Sequence, residues 1–114
     1  MIATALFYVD LETTGCPGSG SIYNANNRTC QLSAVAYNGN KFNHVVNPEV
    51  HIPAESTAIH RITNQMARAA PTFKTVFPLF RRFIHDNTPR GSMVVIVAHN
   101  AFGFDQVVLQ KECD

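Results

Sequence analysis

The chain opens with an apolar run that ends in two acidic residues. Residues 5–9 are apolar, and Asp10 and Glu12 follow with one residue between them. This pattern predicts a buried strand with both carboxylates on one face, because alternate side chains of a strand project from the same side. Two such charges repel unless a divalent cation or a shared proton lies between them. We therefore expect a metal site, although a strand entering a solvated acidic turn would have the same pattern.

The next segments predict a loop and a hairpin. Residues 15–28 are rich in Gly, Pro, Ser and Asn, which is typical of an exposed loop. Strands are predicted over residues 29–37 and 41–46, with Asn38-Gly39 between them as a strong hairpin signal. The hairpin makes these two strands antiparallel.

Helical patterns follow the hairpin. Residues 56–70 predict short helical turns, with a cap for the second turn near Thr63-Asn64. From Thr72 onward, apolar residues recur at helical spacing and predict the main helix. Pro78 conflicts with an uninterrupted helix, so we expect a kink or a restart there.

The last strand brings a second polar cluster. Residues 93–98 are apolar on both faces, which predicts a buried strand with neighbours on both sides and covering helices. His99, Asn100 and Asp105 follow, and residues 101–113 have a helical pattern. If the two apolar strands are neighbours, Asp105 approaches the acids of the opening strand. Strands and helices in this order predict an α/β layered fold.

Composition narrows the class of protein. The 114 residues, with 46% hydrophobic and 15% charged, predict a single globular domain over residues 1–114. Residues 56–104 contain six Lys or Arg and one acid, which is compatible with a polyanionic substrate. The three cysteines have no paired metal-ligand spacing, which favours thiols in a reducing, intracellular compartment, the cytoplasm or nucleus. We expect neither a signal peptide nor a membrane span.

Three segments together resemble a known family. VDLETTG (residues 9–15) and AHNAFGFD (residues 98–105) resemble the first two motifs of the DEDDh exonucleases of the RNase H-like superfamily. The step from His99 to Asp105 is similar to that of three-prime repair exonucleases, and residues 52–63 resemble the family segment before the main helix. The resemblance implies an RNase H-like mixed sheet: three antiparallel strands plus a parallel central strand, with helices.

The resemblance also implies a reaction. Asp10 would bridge two Mg²⁺ or Mn²⁺ ions, Glu12 would hold the first ion, and Asp105 would support the second. Such a site would hydrolyse phosphodiester bonds at single-stranded or frayed 3′ ends of DNA or RNA. The residues implied to receive the terminal nucleotide are Leu11, Thr13, Thr14, Ile59, His60 and Asn100.

The chain departs from the family pattern after its second motif. The third motif, a histidine followed five residues later by an aspartate, is absent, together with the usual last strand and helix. Residues 93–98 would then form an apolar edge, which predicts a homodimer or a partner that completes the sheet. Another possibility is that the 114 residues are a fragment of a longer chain. The alternative function is a catalytically silent module that binds nucleic acid or protein. An aspartyl phosphotransferase would need a second Asp in place of Glu12 and a later lysine motif.

Overall fold

The described part of the chain forms one mixed β-sheet with helices. The computed structural model describes residues 3–15 and 28–98. The strands follow the order β3-β2-β1-β4 across the sheet. β1 pairs antiparallel with β2 and parallel with β4, and β2 pairs antiparallel with β3. The strands are β1 (Thr4–Thr13), β2 (Thr29–Ala36), β3 (Lys41–Val45) and β4 (Met93–Ala98). The predicted mixed sheet is therefore confirmed.

One face of the sheet is buried under the main helix, α3 (Phe73–Asp86). The inward residues of β1 and β2 alternate with exposed or half-buried ones, as expected for strands with one covered face. Each large side chain buried here contributes about 1.5–3 kcal/mol. The central buried cluster consists of Val9, Leu11, Leu32, Ala34, Val46, Phe73, Val76 and Phe80. This packing leaves the opposite face of β1 open.

The predicted hairpin between β2 and β3 is confirmed. The Gly39 N–H donates to the Ala36 carbonyl at 2.9 Å, and the Ala36 N–H donates to the Asn40 carbonyl at 2.8 Å. Gly39 has φ of +89°, whereas Asn38 is not among the residues with positive φ. A two-residue type I′ turn would need positive φ at both residues. The connection is therefore a wider turn that needs the conformational freedom of Gly39 alone.

Two short helices precede α3. They are α1 (Ala54–His60) and α2 (Asn64–Arg68). The Thr63 hydroxyl accepts a hydrogen bond from the Met66 N–H at 3.1 Å, which confirms the predicted cap. Between the helices, Arg61 has φ of 67°, and its N–H donates to the Thr57 carbonyl. This left-handed residue ends α1 and turns the chain into α2.

A kink or a restart was predicted at Pro78, and the restart does not occur, because α3 runs through Pro78 as one helix of 14 residues. A proline removes the hydrogen bond to the carbonyl four residues earlier, which is that of Lys74. Lys74 and Pro78 are both exposed, so water can reach this carbonyl. Val76 and Phe80 keep the helix attached to the core.

β4 differs from its predicted environment. Within the described residues it pairs only with β1, and Met93 and Ile96 are 54% and 51% exposed. The prediction of a strand covered on both faces is wrong for this part of the chain, because α3 packs over β1 and β2. The predicted apolar edge is confirmed for the described residues. Most of the predicted loop over 15–28 and the predicted helix over 101–113 lie outside them.

Candidate active site

Asp10 and Glu12 lie on the face of β1 that α3 leaves open. Val9 and Leu11, which alternate with them, point into the core. Asp10 is exposed and Glu12 is half-buried. In the pairing with β2, Asp10 lies opposite Ser33 and Glu12 lies opposite Gln31. The predicted placement of both carboxylates on one side of the strand is therefore confirmed.

The two carboxylates interact unfavourably. Burial raises the pKa of Glu12 above its ordinary value, and the negative charge of Asp10 raises it further. Both causes penalise the ionised form of Glu12. A cation near the pair would offset the repulsion and favour the ionised form. The electrostatics of this strand end therefore suit a positively charged ligand.

A polar row on the neighbouring strands lies beside the acids. Gln31 and Ser33 of β2 both donate to the side-chain oxygen of Asn43 on β3, at 2.8 and 3.1 Å. This network fixes the side chains opposite Glu12 and Asp10. Sequence reasoning missed these three residues. The signal was their alternation on the predicted strands, which places residues 31 and 33 on the same face as the acids once the register is known.

A shallow depression adjoins Asp10 on the open face, with a volume of about 310 Å³. Most of its wall is apolar. Tyr8 contributes an aromatic side chain that is 54% exposed. The lining residues are Tyr8, Val9, Asp10, Ser33, Ala34, Val35 and Val97.

The backbone that follows Glu12 is held by the start of β2. The Thr14 N–H donates to the Arg28 carbonyl at 2.9 Å, and the Arg28 N–H donates to the Thr14 hydroxyl at 3.0 Å. Thr13 and Thr14 are both buried. Leu11 is also buried. These three predicted nucleotide-binding residues are neighbours of the acids in sequence: Leu11 and Thr13 lie in β1, and Thr14 follows it directly.

Helix α1 also contacts residues 13 and 14, through side-chain hydrogen bonds to their carbonyls. The Ser56 hydroxyl donates to the Thr14 carbonyl at 3.0 Å, and Nε2 of His60 lies 3.0 Å from the Thr13 carbonyl oxygen. The side chain of Ile59 is 59% exposed. The predicted residues Ile59 and His60 thus lie on the helix that adjoins the end of β1.

His60 is held as a neutral ring. Its Nδ1 accepts a hydrogen bond from the Ile62 N–H at 3.1 Å. Burial lowers the pKa of His60, and the hydrogen bond to Thr13 opposes this only in part. The proton of the neutral ring therefore resides on Nε2, which donates to the Thr13 carbonyl.

The remaining predicted site residues, Asn100 and Asp105, and the neighbouring His99 lie outside the described residues. β4 runs parallel to β1, and its last residue, Ala98, pairs with Val9, directly before Asp10. The second motif thus follows a strand whose carboxyl end lies beside the acids.

Comparison with known proteins identifies the family. A model of the RNase T family, described as exonuclease, matches residues 7–113 of this chain. The chain belongs to this exonuclease family. Among curated relatives, exonuclease DPD1 of Arabidopsis thaliana is 34% identical over 90% of this chain and 32% of its own length. DNA polymerase III subunit epsilon of Rickettsia prowazekii is 32% identical over 91% of this chain and 42% of its own. The chain spans less than half of either relative.

Solved structures of exonucleases share the fold. The nuclease domain of 3′hExo, a DEDDh family member bound to rAMP, superposes with a TM-score of 0.76 at 14% identity, covering 96% of this chain and 57% of its own. Exonuclease X, in complex with 5′ overhanging duplex DNA, has a TM-score of 0.62 and 28% identity, covering 90% and 52%. The predicted RNase H-like fold and the resemblance to DEDDh exonucleases are therefore confirmed.

The donor set of this exonuclease-family chain fits a hard divalent cation. Within residues 3–15 and 28–98, no group of three or more His, Cys, Asp or Glu residues could hold a metal ion. Asp10 and Glu12 supply oxygen ligands only, which suit Mg²⁺ or Mn²⁺ better than Zn²⁺. Mg²⁺ keeps several waters and is often bound by one or two carboxylates together with substrate phosphates. In the same part of the chain, no helix has the length and apolarity to cross a bilayer.

Proposed function

We propose that this chain carries the metal site of a 3′–5′ exonuclease that hydrolyses phosphodiester bonds at nucleic-acid 3′ ends. The observation that supports this most strongly is the acid pair on the open face of β1. Burial and the charge of Asp10 both raise the pKa of Glu12, so a nearby cation would stabilise the ionised pair. The chain belongs to an exonuclease family, and this supports a nuclease role for the acid pair.

Asp10 and Glu12 would hold Mg²⁺ or Mn²⁺, with Asp105 as the third predicted ligand. When bound, two such ions lower the pKa of a water molecule and offset negative charge on the phosphate and on the leaving oxygen. The protein's own contribution is to orient the carboxylates and the end of the substrate. The polar row of Gln31, Ser33 and Asn43 supports the first task by fixing the surface opposite the acids.

The terminal nucleotide would lie against the end of β1 and α1. The backbone of Leu11, Thr13 and Thr14 adjoins the acids, and the exposed side chain of Ile59 offers an apolar contact for a base. His60 lies next to it on the same helix, and Asn100 is the remaining predicted contact. Single-stranded or frayed 3′ ends of DNA or RNA suit such a site, because an unpaired base can stack on a side chain.

Polarity and metal dependence can be tested with a 5′-labelled single-stranded oligonucleotide in Mn²⁺. A 3′–5′ exonuclease produces a ladder of progressively shorter labelled products, whereas cleavage from the 5′ end releases labelled mononucleotide at once. We expect a ladder with the wild type, and none with Asp10→Ala or in EDTA. Asp86→Ala is the matched control, because Asp86 is an exposed acid at the end of α3.

A catalytically silent module that binds nucleic acid or protein is the second candidate. This candidate predicts that the chain binds the oligonucleotide and never shortens it, in either Mg²⁺ or Mn²⁺. Binding that persists in Asp10→Ala without turnover in the wild type would favour this candidate over the exonuclease.

We also propose that β4 pairs with a second copy or with a partner strand. Val94, Ile96 and Val97 are exposed apolar side chains on the outermost described strand. Such edges promote pairing with another chain. Light scattering at tens of micromolar, a range in which many weak dimers form, should show a dimer or larger species. A stable monomer would contradict the homodimer.

An intracellular location stays a prediction from the cysteine pattern.

A further inference from the structure

The β1–β2 ladder is interrupted directly after Glu12. Glu12 pairs with Gln31, whereas Thr13 pairs with Thr29, so Cys30 is an extra residue on β2. A bulge of this kind breaks the regular hydrogen bonding and increases the local twist. The regular ladder therefore ends at Glu12. Beyond it, the Thr14 N–H still donates to the Arg28 carbonyl, and the carbonyls of Thr13 and Thr14 are bonded by α1.

Two side chains of α1 supply contacts at this interruption. Ser56, which is 1% exposed, donates through Oγ to the Thr14 carbonyl at 3.0 Å. His60 donates through Nε2 to the Thr13 carbonyl at 3.0 Å. The two residues are four positions apart, so they lie on one face of the helix. The hydrogen-bond donor of each side chain is therefore used by the protein backbone.

Both ring nitrogens of His60 form hydrogen bonds. Nδ1 accepts from the Ile62 N–H at 3.1 Å, so Nε2 is the protonated nitrogen and the donor to Thr13. The sulfur of Cys30 lies 3.5 Å from the same Nε2, where it can act only as a weak acceptor. His60 thus joins the end of α1, the bulged residue of β2 and the end of β1.

From this geometry we propose that Ser56 and His60 are positioning residues for the metal site. By holding the carbonyls of Thr13 and Thr14, they fix the backbone that follows Glu12 and so the placement of its carboxylate relative to Asp10. The proposal rests on the function proposed above. A positioning role differs from direct contact of His60 with a nucleotide base. A positioning role predicts that His60 affects the affinity for a divalent cation even when no nucleic acid is present.

Two substitutions of His60 separate its two nitrogens. His60→Gln can place an amide N–H near the position of Nε2 and keep the bond to Thr13. His60→Asn can place its oxygen near the position of Nδ1 and keep the bond from Ile62, but it is too short to reach Thr13. The affinity of each variant for Mn²⁺ alone is measured by calorimetry. We expect His60→Asn to weaken binding about 10-fold or more, which is typical for loss of a residue that orients a metal ligand, and His60→Gln to stay closer to the wild type.

Ser56 has a matched control on the same helix. The Thr57 hydroxyl donates to the Ile62 carbonyl at 2.8 Å, away from β1. Ser56→Ala should weaken Mn²⁺ binding, whereas Thr57→Ala, which also removes one hydroxyl hydrogen bond from α1, should leave it unchanged. Far-UV circular dichroism and a urea midpoint establish that each variant is folded. If His60→Asn does not fold, the comparison of Ser56→Ala with Thr57→Ala tests the same contact.

The outcomes distinguish this proposal from the proposed function. If Asp10→Ala binds Mn²⁺ like the wild type, the metal site itself is refuted. If Asp10→Ala loses binding while His60→Asn and Ser56→Ala bind normally, the positioning role is overturned and the metal site stands. A His60→Gln variant as weak as His60→Asn would also overturn it. Normal Mn²⁺ affinity in His60→Asn, together with weaker oligonucleotide binding, would assign His60 to the nucleotide instead.

Discussion

The repulsion between Asp10 and Glu12 predicts that the metal site destabilises the metal-free protein. Burial and the charge of Asp10 raise the pKa of Glu12 above its ordinary value of 4.5. A carboxyl group with a raised pKa in the folded state favours folding below its unfolded pKa, and this contribution is lost as the pH rises through the folded pKa. Glu12→Gln carries a permanently neutral side chain of similar shape. It should therefore match the wild type near pH 4 and be more stable near pH 7.5.

The size of this effect follows from the position of Glu12. The side chain is only half-buried, so solvent screens its charge, and about 0.5–1 kcal/mol is expected. With a urea dependence of about 1–3 kcal/mol per molar, the midpoint of Glu12→Gln should rise by roughly 0.2–1 M. Mn²⁺ should reverse the order, because a ligand at 100 times its Kd stabilises the wild type by about 2.7 kcal/mol.

Urea unfolding in EDTA and in saturating Mn²⁺, each at the two pH values, measures this directly. Glu49→Gln is the control, because Glu49 is exposed in the turn after β3 and lies outside the acid pair. It should show neither the pH-dependent gain nor the reversal by Mn²⁺. A Glu12→Gln variant that is less stable than the wild type at the higher pH without metal would refute the reasoning.

Three further predictions concern the core, a cap and the pH dependence of metal binding. Leu32→Ala, at a fully buried core position, should lower the free energy of unfolding by about 2–5 kcal/mol in urea titrations. Arg61→Gly should raise the free energy of unfolding by roughly 0.5–1 kcal/mol, because Arg61 ends α1 with φ of 67°. Arg68→Gly, inside α2, should instead lower it by about 1 kcal/mol. Equal effects of the two substitutions would contradict the cap assignment. Because the pKa of Glu12 is raised, protons should compete with Mn²⁺ for Glu12 already above pH 4.5. Calorimetry should therefore show that the affinity for Mn²⁺ falls as the pH is lowered toward 4.5. An affinity that does not change with pH in this range would contradict the prediction.

The sequence predicted those features well that depend only on residues close to one another in the chain. Alternation along β1 placed Asp10 and Glu12 on one face, and this follows from strand geometry alone. Thr63 caps α2 as predicted, because a hydroxyl three residues before a free N–H suffices. Pro78 shows the limit of such reasoning. Packing of α3 on the sheet outweighs one lost hydrogen bond at an exposed carbonyl, and packing is not local in sequence.

The parts of the site that sequence reasoning missed depend on register. Gln31, Ser33 and Asn43 come from two strands, and only the pairing of β1 with β2 and β2 with β3 places them beside the acids. Similarly, the bonding of His60 to Thr13 depends on how α1 packs against the end of β1. Its residue type was noticed through the family resemblance, whereas the hydrogen bonds of its two nitrogens required the structure.

The central claim is that the acid pair of β1 serves a metal-dependent exonuclease. The most direct measurement is the identification by mass spectrometry of products released from a single-stranded oligonucleotide in Mn²⁺, for the wild type beside Asp10→Ala. The account predicts nucleoside monophosphates removed one at a time from the 3′ end by the wild type, and none from Asp10→Ala or in EDTA. Equal release by Asp10→Ala and the wild type would contradict it.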